Sequence, residues 1–339
     1  MNKTIQDMPK VILHLHLDGS LRPESVQRWL QKQGIEKSIE DVTKMLRVDK
    51  DCRDLNEYLQ RFDLPAQVLQ EADNIEEATY ELFEDLSKQN VIYAEVRFAP
   101  TKHMEKGLSC SEVVEAAVRG MERAKARFGI DGSLILCCMR GEQFETNLQA
   151  VSSAKKFLNK GVSAIDLAGA EALFPTEDYR NIFEIASKEG IPFTIHAGET
   201  DGPESIKAAL EFGAKRIGHG VRSIEDKTLM DILRIREIPL EVCPISNLQT
   251  QAVEGKHPLE ELYRKGLFIT ISTDNNTVSN TSILDEYDWI LRNTDLTYND
   301  LIQMNRNAAR FIFAPPIKKA EITAKIDGFK NREDKGLNK

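Results

Sequence analysis

Short apolar runs rich in β-branched residues recur along the chain, and longer stretches with helical periodicity lie between them. The runs are VILHLHL (11–17), VIYAEVRF (91–98), SLILCCM (133–139), VSAIDL (162–167), IPFTIHA (191–197), KRIGHG (215–220), IPLEVCP (238–244) and LFITIST (267–273). Runs of this length and composition, bounded by turn residues, predict strands. SEVVEAAVRGMERAKARFG (111–129) and EDYRNIFEIASKEG (177–190) are amphipathic and predict helices, the second stopped by Gly190. Eight strands alternating with helices predict an α/β fold of the (β/α)8 TIM-barrel type, with a doubly wound open sheet as the alternative. The segment 18–90 is too long for one helix, so extra helices are expected there, placed to cover a barrel mouth. With no linker, low-complexity segment or internal repeat, residues 1–339 read as one domain. Its core spans about 9–315, and a charged tail at about 318–339 is expected to be a solvated end.

Composition narrows the classes. The chain is 41% hydrophobic and 29% charged with net charge −9, a balance that disfavours a nucleic-acid or anionic-membrane binder. MNKTIQDMPK contains no apolar signal core, and no stretch approaches a membrane span. Five cysteines without CxxC spacing suit buried thiols in a reducing compartment rather than a disulfide framework or a cysteine zinc site. A cytoplasmic location is expected.

The polar residues inside the apolar runs then stand out. Of six histidines, four lie within or at the end of predicted strands: His14, His16, His196 and His219. His14 and His16 are two apart, so both imidazoles leave strand 1 on one face. His196 ends strand 5 in HAGET, His219 ends strand 6 in GHG, and Asp274 follows strand 8 in STDNN. A lone strand histidine is usually a hydrogen-bonded core residue, and an aspartate after a strand is usually a helix cap. Several such groups at the same predicted end of four strands are a different matter, because burying them unpaired costs several kcal/mol. A divalent metal held by His14, His16, His196 and Asp274 satisfies them together. The nitrogen and oxygen donor set suits zinc, with iron, cobalt or manganese as other options. A catalytic zinc brings the pKa of its water to about 7, and His219 and Glu199 are then free for proton transfer.

PKVILHLHLDGSLRPE, VIYAEVRFAP, IDLAGAE, TIHAGE, IGHGVR, CPISNLQT and ISTDN occur in the order and spacing of the adenosine deaminase family, which this chain resembles from about residue 9 to about 315. The resemblance implies an amidohydrolase-type barrel of bacterial type with one zinc ion per subunit, bound by His14, His16, His196 and Asp274. It implies hydrolytic deamination of adenosine, and of 2′-deoxyadenosine, to the 6-oxo purine and ammonia in purine salvage. Glu199 resembles the residue that exchanges a proton with purine N1, and His219 the one that orients or deprotonates the attacking water, with Asp274 assisting. Gly169 resembles the glycine whose N–H meets N3. Asp18 matches a position that contacts the ribose 5′-hydroxyl beside His16; its plain alternative is a turn residue before Gly19. Asp166 is expected to support a ligand from behind.

The chain departs from the family pattern twice. Asn275 stands where many members have a second aspartate facing N7; an amide donates to N7 without prior protonation, so Asn275 stays a binding residue. Ala170 replaces a common acidic residue and receives no role. Adenine, methylthioadenosine and an aminofutalosine-like nucleoside are the rival substrates, and a non-catalytic purine-binding barrel is the non-enzyme rival. Many binuclear amidohydrolases need a bridging lysine near the end of strand 4, where the sequence reads IDLAGA. The HxE…PCxxC signature of cytidine-type deaminases is absent. The expected partner is a small purine nucleoside, with no nucleic acid or membrane; the number of subunits is left open.

Overall fold

The computed structural model describes residues 3–49 and 52–334. All eight expected strands are present: β1 Lys10–His16, β2 Val91–Phe98, β3 Asp131–Met139, β4 Val162–Ala168, β5 Thr194–Ala197, β6 Arg216–His219, β7 Leu240–Val242 and β8 Ile269–Ile271. Neighbours pair in parallel and in sequence order, β1 to β4 and β5 to β8. Parallel bridges Ile165–Phe193 and Leu15–Asp274 join the two halves. The His16 N–H donates to the Asp274 carbonyl at 2.7 Å and the Asp274 N–H to the His14 carbonyl at 3.1 Å. The sheet therefore closes on itself, which rules out the open doubly wound alternative.

Local sequence explains where the elements stop. The helix Cys110–Phe128 starts on a reciprocal Ser109–Glu112 capping box and ends at Gly129, whose φ of 73° is left-handed. β5 begins three residues later than the apolar run, because Pro192 has no N–H for the ladder. The connection from β1 to β2 carries helices Pro23–Lys32, Ile39–Leu46, Leu55–Leu59, Asp63–Val68 and Ala72–Lys88, as its length requires.

The C-terminal segment differs from expectation. Pro316–Asp334 is a helix, and Ile322, Ile326 and Phe329 on it are buried in the main core. Their spacing of four and three residues is one helical face, so the segment packs instead of trailing in solvent. Residues 335–339 lie outside the described residues. No helix among the described residues is long and apolar enough to cross a membrane.

The barrel interior is unusually polar. Alternate residues of the strands point inward and place Glu95, Arg97, Asp166, Thr194, Arg216 and Glu241 there, each at most 1% exposed. Interiors of this fold are commonly filled by Val, Ile and Leu. Here Glu95 pairs with Arg216 at 2.6 Å, Arg216 with Glu241 at 2.6 Å, Glu241 with Arg97 at 2.7 Å and Arg97 with Asp166 at 2.8 Å. The pairs form one chain of alternating charge across the barrel, the arrangement in which buried ions satisfy one another.

Candidate active site

Two members of that chain of charge reach histidines. Glu241 Oε2 lies 3.0 Å from His14 Nδ1, and Asp166 Oδ2 lies 2.9 Å from His196 Nδ1. Burial pushes the Glu241 carboxyl up, but Arg97 and Arg216 outweigh it and hold it well below the usual range. Burial likewise raises Asp166, and His196 and Arg97 more than reverse it. Both are therefore carboxylates: Glu241 accepts from His14 Nδ1, and the Asp166 charge close to His196 Nδ1 favours a proton on that nitrogen as well, so the Nε2 lone pairs of both rings turn inward. Asp166 stands behind His196, as the sequence suggested; Arg97 and Glu241 went unassigned there.

The strand ends bring the remaining groups together. His14, His196, His219 and Asp274 offer ligand atoms within 4.8 Å of one another, all buried. His16 joins them: its Nε2 is 3.2 Å from His196 Nε2 and 3.4 Å from Asp274 Oδ1. His219 and Asp274 both have φ of 59°, a conformation that non-glycine residues adopt at a cost of about 1–3 kcal/mol. The left-handed turn at each strand end keeps these side chains in the centre. Ser246 Oγ donates to Asp274 Oδ2 at 2.6 Å and fixes the carboxylate. His14 Nε2 is buried without a hydrogen-bond partner. A buried imidazole lone pair facing other nitrogens and a carboxylate oxygen is what a cation would satisfy. The donor set of imidazoles and one carboxylate, with no thiolate, fits a zinc-type divalent ion. All five cysteines are buried and free, and none belongs to this cluster.

Glu199 sits beside the cluster. Its Oε2 is 3.5 Å from His219 Nε2, and Thr250 Oγ1 donates to Oε1 at 3.2 Å. Burial raises its pKa well above the usual carboxyl range, and the Asp274 and Glu171 carboxylates push the same way. The burial and the two neighbouring charges favour the protonated form of Glu199. Its turn is tied down by Glu171, whose carboxylate accepts from the N–H groups of Gly198, Glu199, Thr200 and Asp201 at 2.6–3.1 Å. Glu171 lies in the quoted IDLAGAE motif, yet only the fold reveals what it holds.

A cavity of about 460 Å³ opens onto this centre, a volume suited to one small organic ligand. Glu199, His219, Asp274, His16 and His196 line its polar floor, and Gly169, Asp18 and Asn275 line it too. Leu55, Leu59, Phe62 and Ala66 from the β1–β2 connection form an apolar wall. Gly169 has φ of 108°, where a side chain is strained whatever the space around it. Asp18 Oδ1 and Asn275 Oδ1 are buried and without hydrogen-bond partners. Burial raises the Asp18 carboxyl to about 7. All nine residues singled out from the sequence for metal, catalysis or substrate therefore face one cavity or the cluster at its floor. His103 and His257 stand apart from the cluster, both buried.

The adenosine deaminase family profile matches residues 9–329. An adenosine deaminase from Haemophilus ducreyi is 42% identical over 324 residues, covering 93% of this chain and 94% of that protein. An adenosine deaminase from Clostridium kluyveri is 39% identical over 320 residues, with 93% and 92% covered. Among solved structures, arabidopsis ADAL complexed with IMP superposes with a TM-score of 0.86 at 27% identity, covering 96% of this chain and 98% of that one. An amidohydrolase from Burkholderia ambifaria with bound Zn shares the fold, with a TM-score of 0.88 at 22% identity over 97% and 93% of the two chains.

Proposed function

Because the chain belongs to the adenosine deaminase family, we propose that its buried centre catalyses the hydrolytic deamination of adenosine to inosine and ammonia. The observation that carries this reading is one cavity holding both halves of the chemistry: a metal-type donor cluster and, beside it, a buried carboxyl whose surroundings favour its protonated form. His14, His16, His196 and Asp274 are the residues we assign to one zinc ion. Bound there, zinc would supply Lewis acidity that makes water a nucleophile near pH 7.

The chain's own residues supply the rest. Glu199 gives its proton to purine N1, which draws electrons from C6 and makes that carbon electrophilic. His219, 3.5 Å from Glu199, orients the attacking water, and Asp274 assists in taking its proton. Oxygen adds at C6; the proton taken from the water passes to the 6-amino group, the C6–N bond breaks and ammonia leaves, and the remaining hydroxyl proton returns to Glu199 as the 6-oxo group forms. The Gly169 N–H is assigned to N3 and the Asn275 side chain to N7. Asp18 and His16 are assigned to the ribose 5′-hydroxyl; the unsatisfied Asp18 oxygen supports that assignment. The apolar wall of Leu55, Leu59, Phe62 and Ala66 would leave water few partners on that side of a bound substrate. 2′-Deoxyadenosine is expected to be turned over as well. Buried free thiols fit a place in cytoplasmic purine salvage.

A spectrophotometric comparison of kcat/KM tests the substrate, with adenosine, deoxyadenosine, adenine, methylthioadenosine and aminofutalosine offered to zinc-loaded protein. Adenosine is expected to lead. Preference for adenine would move the chain to a sister activity, and no turnover of any of them would sink the reading.

A further inference from the structure

His257 and Asn247 have no part in the chemistry above, yet both are buried and connect to His219. The connection begins at a group whose direction is fixed. The Leu259 N–H, at the start of the helix Leu259–Arg264, donates to His257 Nδ1 at 3.1 Å. A neutral imidazole that accepts on Nδ1 carries its proton on Nε2. His257 Nε2 is 3.4 Å from Asn247 Oδ1, so it donates there. That contact sets the amide: its oxygen faces His257 and its nitrogen faces His219 Nδ1 at 2.9 Å. An amide nitrogen only donates, so His219 Nδ1 accepts and the proton of His219 lies on Nε2.

The other rings are set the opposite way. Carboxylates stand behind Nδ1 of His14 and His196, at 3.0 and 2.9 Å, and leave their Nε2 lone pairs free. We propose that Asn247 and His257 are positioning residues that hold His219 as its Nε2–H tautomer, so that it presents a donor where His14 and His196 present lone pairs. Four histidines share one pocket, and the group behind each of these three rings decides which can bind a metal. His219 has a nitrogen within reach of the cluster but no lone pair on it. It is thereby kept out of the ligand set and donates to the attacking oxygen instead of taking its proton. This use of His219 rests on the deaminase reading; its tautomer does not.

The test separates the two. Long-range 1H–15N correlation spectra of metal-free protein labelled at histidine report the protonated nitrogen of each ring, and the His219 signals are identified by their loss in His219→Asn. His219 and His257 are expected to be protonated on Nε2, His14 and His196 on Nδ1. A His219 protonated on Nδ1 in the unsubstituted protein would overturn the proposal, whatever the activity. Asn247→Asp replaces the donor by an acceptor and is expected to move the His219 proton to Nδ1. kcat should then fall about 10- to 100-fold, the usual scale for losing such a supporting contact, while zinc stays at one per chain. An unmoved proton, or a moved proton with undiminished kcat, would equally refute it. His257→Gln keeps a donor for Asn247 Oδ1 and should retain the tautomer and kcat; His257→Leu should lose both. If these two variants behave alike, His257 is not part of the relay. A protein that deaminates no 6-aminopurine would end the functional reading and leave the tautomer measurement standing.

Discussion

Glu171→Gln removes one charge and almost no volume, and its consequences follow from five contacts. Glu171 is 1% exposed. Its Oε1 accepts from the Gly198 N–H at 2.6 Å and from Ser205 Oγ at 2.5 Å; its Oε2 accepts from the N–H groups of Glu199, Thr200 and Asp201 at 2.9, 2.8 and 3.1 Å. In glutamine one of the two positions becomes an NH2 group. With the amide oxygen at the Oε2 position, three N–H groups keep an acceptor, but a neutral one. The Gly198 N–H then meets a second donor and is left unsatisfied, at a cost of about 1–3 kcal/mol. Weakening three charge-assisted bonds to neutral ones adds about 1 kcal/mol each at most. The expected loss is on the order of 4 kcal/mol, large against a total of about 5–15. A second effect is electrostatic. The Glu171 charge is one of the influences raising the Glu199 carboxyl, so its removal lowers that value. The alkaline limb of kcat/KM should then move to lower pH. Urea unfolding gives the first quantity and the pH–rate profile the second. A loss under about 1 kcal/mol together with an unmoved alkaline limb would refute the claim that Glu171 holds the Glu199 turn.

Three further outcomes are expected. Arg97→Met takes from the Asp166 carboxylate its arginine and from Glu241 one of two, Arg216 remaining, which should cost about 3–5 kcal/mol and weaken zinc binding about 10- to 100-fold; chelator competition that finds the affinity intact would remove Arg97 from the site's support. Glu199→Gln should flatten the pH dependence of stability in metal-free protein. Between the ordinary carboxyl range and the raised value, the native state binds more protons at Glu199 than the unfolded chain, so this residue's contribution is full at low pH and is lost as pH rises. Urea midpoints of the two proteins that stay parallel from acid to alkali would contradict this. Gly19→Ala would place a Cβ 1.7 Å from Asn275 Oδ1, which forces that side chain to move. KM for adenosine should rise, and an unchanged KM would dissociate Asn275 from substrate.

Much of the scaffold was legible because strand and helix patterns are local. The eight apolar runs became the eight strands, and the residues that trimmed them were visible as well: Pro192 delays β5, and β7 is confined to three residues between Pro239 and Pro244. The tail was misread because its charges overshadowed the spacing of Ile322, Ile326 and Phe329. That helical face was present in the sequence, but its partner surface was not.

The candidate site divides along the same physical line. The i, i+2 spacing of His14 and His16 places both rings on one face of β1 before any fold is known, and the strand-end positions of His196, His219 and Asp274 place them at one end of a barrel. These are consequences of chain geometry. Proton placement is a different kind of fact, because a ring nitrogen is a donor or an acceptor according to what stands behind it. Glu241 lies 227 residues from His14 and Asn247 lies 28 from His219. Those partners meet only when the barrel has closed with a given register, and no local pattern encodes the meeting. The chain's order of residues thus supplies the groups, and closure sets what stands behind His14, His196 and His219.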